Sequence, residues 1–239
     1  IDFGTQRHYN PFVKRLQLPL VFLFGFFLPT QLGKHFFLPF SYLSGVRVDY
    51  LAPTLYVLDI IVVGLYIAYL KNYKALLRNT WIQLFLFVTA IGLFFAISKE
   101  IALYRYIKII ELLIVFAALS MHKKKPLIFL YGLFLSTVVQ FCIATSQFIQ
   151  KSSLDGVFYF LGERHLTLST PGVAKTALDG VEFLRAYGTF SHPNSLAGFY
   201  LLIYAYLLLQ KKKILPPLLN TVFLILCPAL IFLSFSKVA

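Results

Sequence analysis

Seven long apolar runs, separated by short clusters of positive charge, limit the folds open to this chain more than any single motif does. They lie near residues 17–33, 51–70, 80–98, 100–120, 126–149, 194–210 and 214–236. Each approaches the roughly 20 residues that a helix needs to cross a hydrocarbon layer about 30 Å thick. The fourth is the least apolar, because it carries Arg105, Lys108 and Glu111. Pro19 and Pro29 interrupt the first, and Pro216, Pro217 and Pro228 the seventh; membrane bundles absorb such breakers as kinks. The expected fold class is all-α, a polytopic transmembrane helical bundle of about seven spans. It is read as one integral-membrane domain over 1–239, with an extracytoplasmic loop at 150–190.

Charge sets the expected orientation. Three Lys or Arg precede the first run (Arg7, Lys14, Arg15), and three follow the second (Lys71, Lys74, Arg78). Three more follow the fourth (Lys123, Lys124, Lys125) and three the sixth (Lys211, Lys212, Lys213), with only Asp2 acidic among them. Cationic loops stay on the cytoplasmic side. The N-terminus is therefore expected inside and 150–190 outside, in a multi-pass protein of the plasma membrane. Only 13% of the residues are charged, against about 25% in soluble domains. The net charge of +13 comes in clusters rather than along one face, so no nucleic-acid partner is expected. Membrane lipids are the expected surroundings.

Cys142 and Cys227 both sit in apolar runs and are expected to be small buried hydrophobes, neither a disulfide framework nor a metal site. The basic start leads into an apolar run with no small-residue cleavage site, so no cleavable signal peptide is expected. The chain opens on Ile1 and stops at Ala239 just after an apolar run, which leads us to expect a longer parent protein. Ionisable groups inside apolar runs are costly and point by default to function. Here they are Asp59, Arg105, Lys108 and Glu111. Mutual neutralisation is the expectation for Lys108, with Glu111 on its own helix or with Asp59 across helices. Arg105 is open to two roles, a structural cation or a contact to a lipid phosphate.

The stretch Leu184 to Gly198 joins the longest polar segment to a strongly apolar one. Pro193 suits the first turn of a helix, and Ser191 or His192 before it can cap. A helix starting there presents unpaired N–H groups and the positive end of its dipole. Arg185, eight residues upstream of Pro193, adds a planar fork of donors. Together these describe either an anion site, most naturally for phosphate, or a plain loop-to-helix cap with a solvated arginine. Local physics leaves both open, and caps are the commoner.

The same stretch carries Arg-x-x-Gly-x-Phe-x-His-Pro-Asn-x-x-Ala in Arg185, Gly188, Phe190, His192, Pro193, Asn194 and Ala197. It resembles the signature of the O-antigen ligase/polymerase superfamily, bacterial integral-membrane enzymes that move glycans off a polyprenyl-diphosphate carrier. With Ser236-Lys237 closing the next run, the resemblance covers about 185–237. It implies transfer to a glycan, lipid or protein acceptor at the outer face of the plasma membrane, without a metal or other cofactor. It also implies arginines on the diphosphate and a histidine, in a large outer loop beyond Ala239, that activates the acceptor hydroxyl. The candidate substrate-binding residues are Arg185, Lys237, Arg105, His192 and Asn194.

No catalytic residue is nominated. His192 is expected to orient the turn, and His165, beside Glu163 and Arg164, to be solvated. Two other function classes stay open: a transporter or flippase for an anionic lipid-linked glycan, and a non-enzymatic subunit of envelope assembly. Transport would gain from an inverted repeat, and the sequence shows none.

Overall fold

The fifth apolar run folds into the helix on which the others are assembled. The computed structural model describes residues 11–48, 51–69, 73, 76–120, 125–210 and 214–236. Its helices are α1 (Pro11–Phe27), α2 (Val57–Ala68), α3 (Thr80–Phe95), α4 (Lys99–Ser120), α5 (Lys125–Gln150), α6 (Pro193–Leu209) and α7 (Pro217–Leu233). α1 lies against one side of α5, and α7 against another, with α6 packed on α7. α2 joins α1 to α4, and α4 carries α3.

The α1–α5 crossing is close because both helices place glycine there. A Cβ on Gly25 would meet the backbone of Phe129, and one on Gly132 the backbone of Phe22. Small residues at a crossing let helix backbones approach. Two cores flank this pair. One gathers Val21, Phe24, Ile61, Leu65 and Ala118; the other gathers Leu133, Leu196, Tyr200, Phe223 and Leu230.

The expected all-α bundle of about seven spans is corrected by the structure. Among the described residues one helix is long and apolar enough to cross a membrane, Pro126–Gln150. The other apolar runs are cut short by identifiable stops. α1 ends at Phe27, whose carbonyl accepts from Thr30 Oγ1 at 2.8 Å. α2 begins only at Val57, because the Asp59 carboxylate takes the N–H of Tyr56 at 2.8 Å and closes a capping box. Its 12 residues reach about 18 Å, short of the roughly 30 Å a span needs. α3 has 16 residues, and α6 and α7 have 17 each. α4 is long enough at 22 residues, but Lys99, Glu100, Arg105, Lys108 and Glu111 charge it too heavily.

Nor is the chain purely helical. Two-stranded antiparallel sheets form from β1 (Gly33–His35) with β4 (Thr54–Tyr56), from β2 (Tyr42–Leu43) with β3 (Val46–Arg47), and from β5 (Lys175–Leu178) with β6 (Val181–Leu184). The first of them takes up residues that hydropathy alone assigned to the second run. Eight of the twelve charges from which orientation was read, Arg7, Lys71, Lys74, Lys123, Lys124, Lys211, Lys212 and Lys213, lie outside the described residues, as does Lys237.

Residues 151–192 are more ordered than their composition suggests. The 3₁₀ turn Gly156–Leu161 leaves Val157, Tyr159 and Phe160 exposed. Asp179-Gly180, both at positive φ, turn β5 into β6 in two residues, the geometry that Asp-Gly favours in a hairpin. Phe183 of this hairpin stacks on Phe148 of α5 at 5.0 Å, and Phe148 on Phe235 at 5.6 Å. That stack seats the hairpin beside the end of α7.

Candidate functional site at the start of helix α6

Arg185 leaves β6 half-buried, and two contacts orient it. Its Nε donates to the carbonyl of Ser234 at 2.8 Å, and its Nη2 to Asn194 Oδ1 at 2.6 Å. The first ties it to the end of α7 and the second to the first turn of α6. Of its five N–H donors, the remaining three make no hydrogen bond among the described residues.

His192 is the N-cap of α6, and its Nδ1 accepts from the N–H of Asn194 at 3.1 Å. That bond requires an unprotonated Nδ1. Partial cover over the ring, and then the Arg185 charge, hold the imidazole below its ordinary pKa and so favour this neutral form. The Ser195 and Leu196 N–H groups reach the His192 carbonyl at 3.0 and 3.2 Å. The first turn therefore has few free amides, contrary to the expectation from sequence. What this end offers an anion is the helix dipole and the unused donors of Arg185.

The loop between Arg185 and His192 is fixed from below. Tyr187 and Gly188 N–H groups donate to Gln147 Oε1 at 3.1 and 2.8 Å, and that of Thr189 to Gln140 Oε1 at 3.0 Å. Gly188 sits at φ +57°, and a Cβ there would stand 2.5 Å from Gln140 Oε1. The backbone angle favours glycine, and a side chain here would also displace the Gln140 carboxamide that holds Thr189. Phe190 and Ala197 turn into the core, so these two motif positions serve packing.

No family model, curated protein or solved structure matches this chain.

Of the five candidate residues, Arg185, His192 and Asn194 come together. Arg105 does not join them. It is exposed on α4, which packs chiefly on α2, α3 and α5. Lys237 lies outside the described residues, although Ser234, three positions earlier, holds Arg185. Lys108 makes both pairings considered for it, with Asp59 at 2.6 Å and Glu111 at 3.1 Å, and lies over the rings of Tyr56 and Tyr104. His165 is exposed, but it is not alone. Its Nδ1 contacts Asp155 Oδ2 at 2.9 Å, and this contact holds the Asp155 carboxyl below its usual range. Cys142 is exposed rather than buried, while Cys227 is buried as expected. Among the described residues no three His, Cys, Asp or Glu side chains gather as a metal site.

Sequence reading missed Gln140, Gln147 and Ser234. The signal available was two carboxamides seven residues apart in a largely apolar run. That spacing places both on one helix face.

Beside the site a groove of about 570 Å³ runs between α6 and α7. Leu201, Tyr204, Pro228, Ile231 and Phe232 line it, and it reaches Phe235 and Ser236 next to the carbonyl that holds Arg185.

Proposed function

We propose that this chain is part of a glycan transferase that acts at the plasma membrane on a polyprenyl-diphosphate-linked donor, in the manner of the O-antigen ligase/polymerase superfamily. The observation that carries the reading is the oriented Arg185 guanidinium, with three donors that make no hydrogen bond among the described residues. It lies beside the start of α6 and is bonded to Ser234, next in the chain to the Phe235 and Ser236 that an apolar groove reaches. An isoprenoid diphosphate pairs a dianionic or trianionic head with a long apolar tail. The cation and the groove match those two parts.

Chemically, a diphosphate leaves readily once its charge is neutralised, and preset donors stabilise charge as it develops. Arg185 supplies two parallel charge-assisted hydrogen bonds, and the dipole of α6 adds to them. A general base would have to approach the acceptor hydroxyl, and none is assigned among these residues. The transport reading gains nothing from the Asp59–Lys108–Glu111 group, because these charges are spent on one another.

Transfer of glycan from undecaprenyl-diphosphate donor, with donor binding measured separately, tests the proposal. Arg185→Ala is expected to lose roughly 30- to 1000-fold in rate, corresponding to about 2–4 kcal/mol. Arg185→Lys keeps a point charge without the fork and is expected to fall between. Unchanged donor binding and turnover in Arg185→Ala would remove this residue from the site and the reading with it.

A further inference from the structure

Beneath the loop that carries the motif, a buried polar relay crosses a largely apolar helix. Gln140 and Gln147 are each 1% exposed and Glu163 is 3% exposed. Gln147 has all its capacity in use. Its Oε1 accepts from Tyr187 and Gly188, while its Nε2 donates to the Gly188 carbonyl at 2.9 Å and to Glu163 Oε1 at 2.8 Å. Glu163 in turn accepts the Leu154 and Asp155 N–H groups, both at 2.8 Å. Gln140 donates to Thr189 Oγ1 at 2.6 Å and to the Pro29 carbonyl at 3.3 Å, and Thr189 Oγ1 donates to the same carbonyl at 3.0 Å.

We propose that Gln147 and Glu163, with Gln140, are positioning residues that set residues 187–189 and, through them, the placement of Arg185 for the donor's diphosphate. This rests on the transferase reading above. The physical reason lies in what such bonds add. Apolar side chains would fill the same space at lower desolvation cost, but they would let the loop slide. Hydrogen bonds in a dry setting allow one register only, since an unmade one is costly.

From that register the chain runs straight to the site. The Ala186 N–H donates to the Leu233 carbonyl at 3.2 Å, and the Arg185 N–H to the Ala174 carbonyl at 3.2 Å. A shift at Gly188 would pull Arg185 away from Ser234 and Asn194. Glu163 also fastens the 154–155 turn to Gln147, so the polar segment outside α5 and the motif loop share one anchor.

The test reverses polarity without changing shape. Gln147→Glu removes the two Nε2 donors and sets a carboxylate against Glu163. Adding Glu163→Gln restores a donor–acceptor pair across that contact with the roles exchanged, while the Gly188 carbonyl and the Leu154 N–H, which these two side chains also served, are left without their partners. Undecaprenyl diphosphate in detergent micelles is titrated into the wild type, Gln147→Glu, the double variant and Arg185→Ala, with thermal unfolding recorded for each. The proposal expects Gln147→Glu to stay folded and bind about tenfold more weakly, with part of that loss recovered in the double variant.

Wild-type affinity in Gln147→Glu, alongside weakened binding in Arg185→Ala, overturns the relay and leaves the transferase reading standing. Loss of folded protein in Gln147→Glu that Glu163→Gln does not relieve assigns these side chains to stability alone and also overturns it. No binding by the wild type, or full binding by Arg185→Ala, removes the transferase reading and the relay's proposed purpose together.

Discussion

Two contacts on one guanidinium decide what Arg185 can offer. Held by the Ser234 carbonyl and by Asn194 Oδ1, it points the rest of its fork in one direction instead of sweeping through solvent. The Asn194 side chain thus acts on the arginine, while its backbone N–H serves the His192 cap. Asn194→Ala frees the guanidinium and is expected to weaken diphosphate binding by about fivefold, or about 1 kcal/mol. Asn194→Asp should weaken it more, although the contact itself tightens, because a carboxylate spends the charge an anion needs. Binding titrations of both variants check this; stronger binding in Asn194→Asp would contradict the anion role.

His192 makes a second prediction, of pH dependence. Its folded-state pKa is depressed below the ordinary 6.5, first by partial cover and then by Arg185. A depressed value means that the unfolded chain takes up the proton first. The cap's contribution is therefore complete above pH 6.5 and is lost as pH falls through the lower folded value. Loss of an N-cap costs about 1 kcal/mol. Thermal unfolding followed across this window should lose part of its pH dependence in His192→Asn, which caps without titrating there.

At the scale of elements, backbone approach governs more than hydropathy does. Gly25 and Gly132 face each other's helix backbones across the α1–α5 crossing, so no side-chain rotation can relieve an added methyl. Gly132→Ala is expected to cost about 1–3 kcal/mol and to loosen α1, read as a lower unfolding midpoint. Gly92, with nothing within 4 Å of its would-be Cβ, is the matched control, and Gly92→Ala should be neutral or slightly stabilising.

The motif stretch was legible in sequence because its chemistry is local. Pro193 starts a helix wherever that helix packs, and a residue beside it must cap. The relay was not legible, because Gln147 and Glu163 are remote in sequence from each other and from Gly188, and neither alone differs from an ordinary polar residue. Helix ends were misplaced for a related reason. A hydropathy window registers Leu51 to Tyr56 as apolar, while pairing of β4 with β1 and the Asp59 capping box take those residues out of the helix.

At the scale of the whole molecule, the unpaired apolar surface stands out. α3 buries no residue, and Trp81, Phe87, Phe94 and Phe95 are exposed along it. A helix apolar all round calls for an apolar neighbour. With the proposed lipid-linked donor in view, we expect the chain to partition with membranes and to be released by detergent rather than by salt. Phe87→Lys with Phe94→Lys should shift it measurably toward the aqueous fraction on vesicle flotation. An unchanged distribution would show that α3 does not make the contact.

From the sequence alone come the starts of α3, α4, α5 and α6 to within a residue, the choice of Ser191 or His192 as the cap of α6, and the closeness of Arg185 to that cap in the chain. These follow from proline geometry, local hydrogen bonding and apolar periodicity, all of which act within a few residues. The lengths of the helices, the choice of His192 as the cap, the aiming of Arg185 by Ser234 and Asn194, and the bracing of the loop by Gln140 and Gln147 emerge with the packed fold. Those outcomes depend on groups distant in sequence competing for the same hydrogen bonds. That competition is settled only once α5 is packed between α1 and α7.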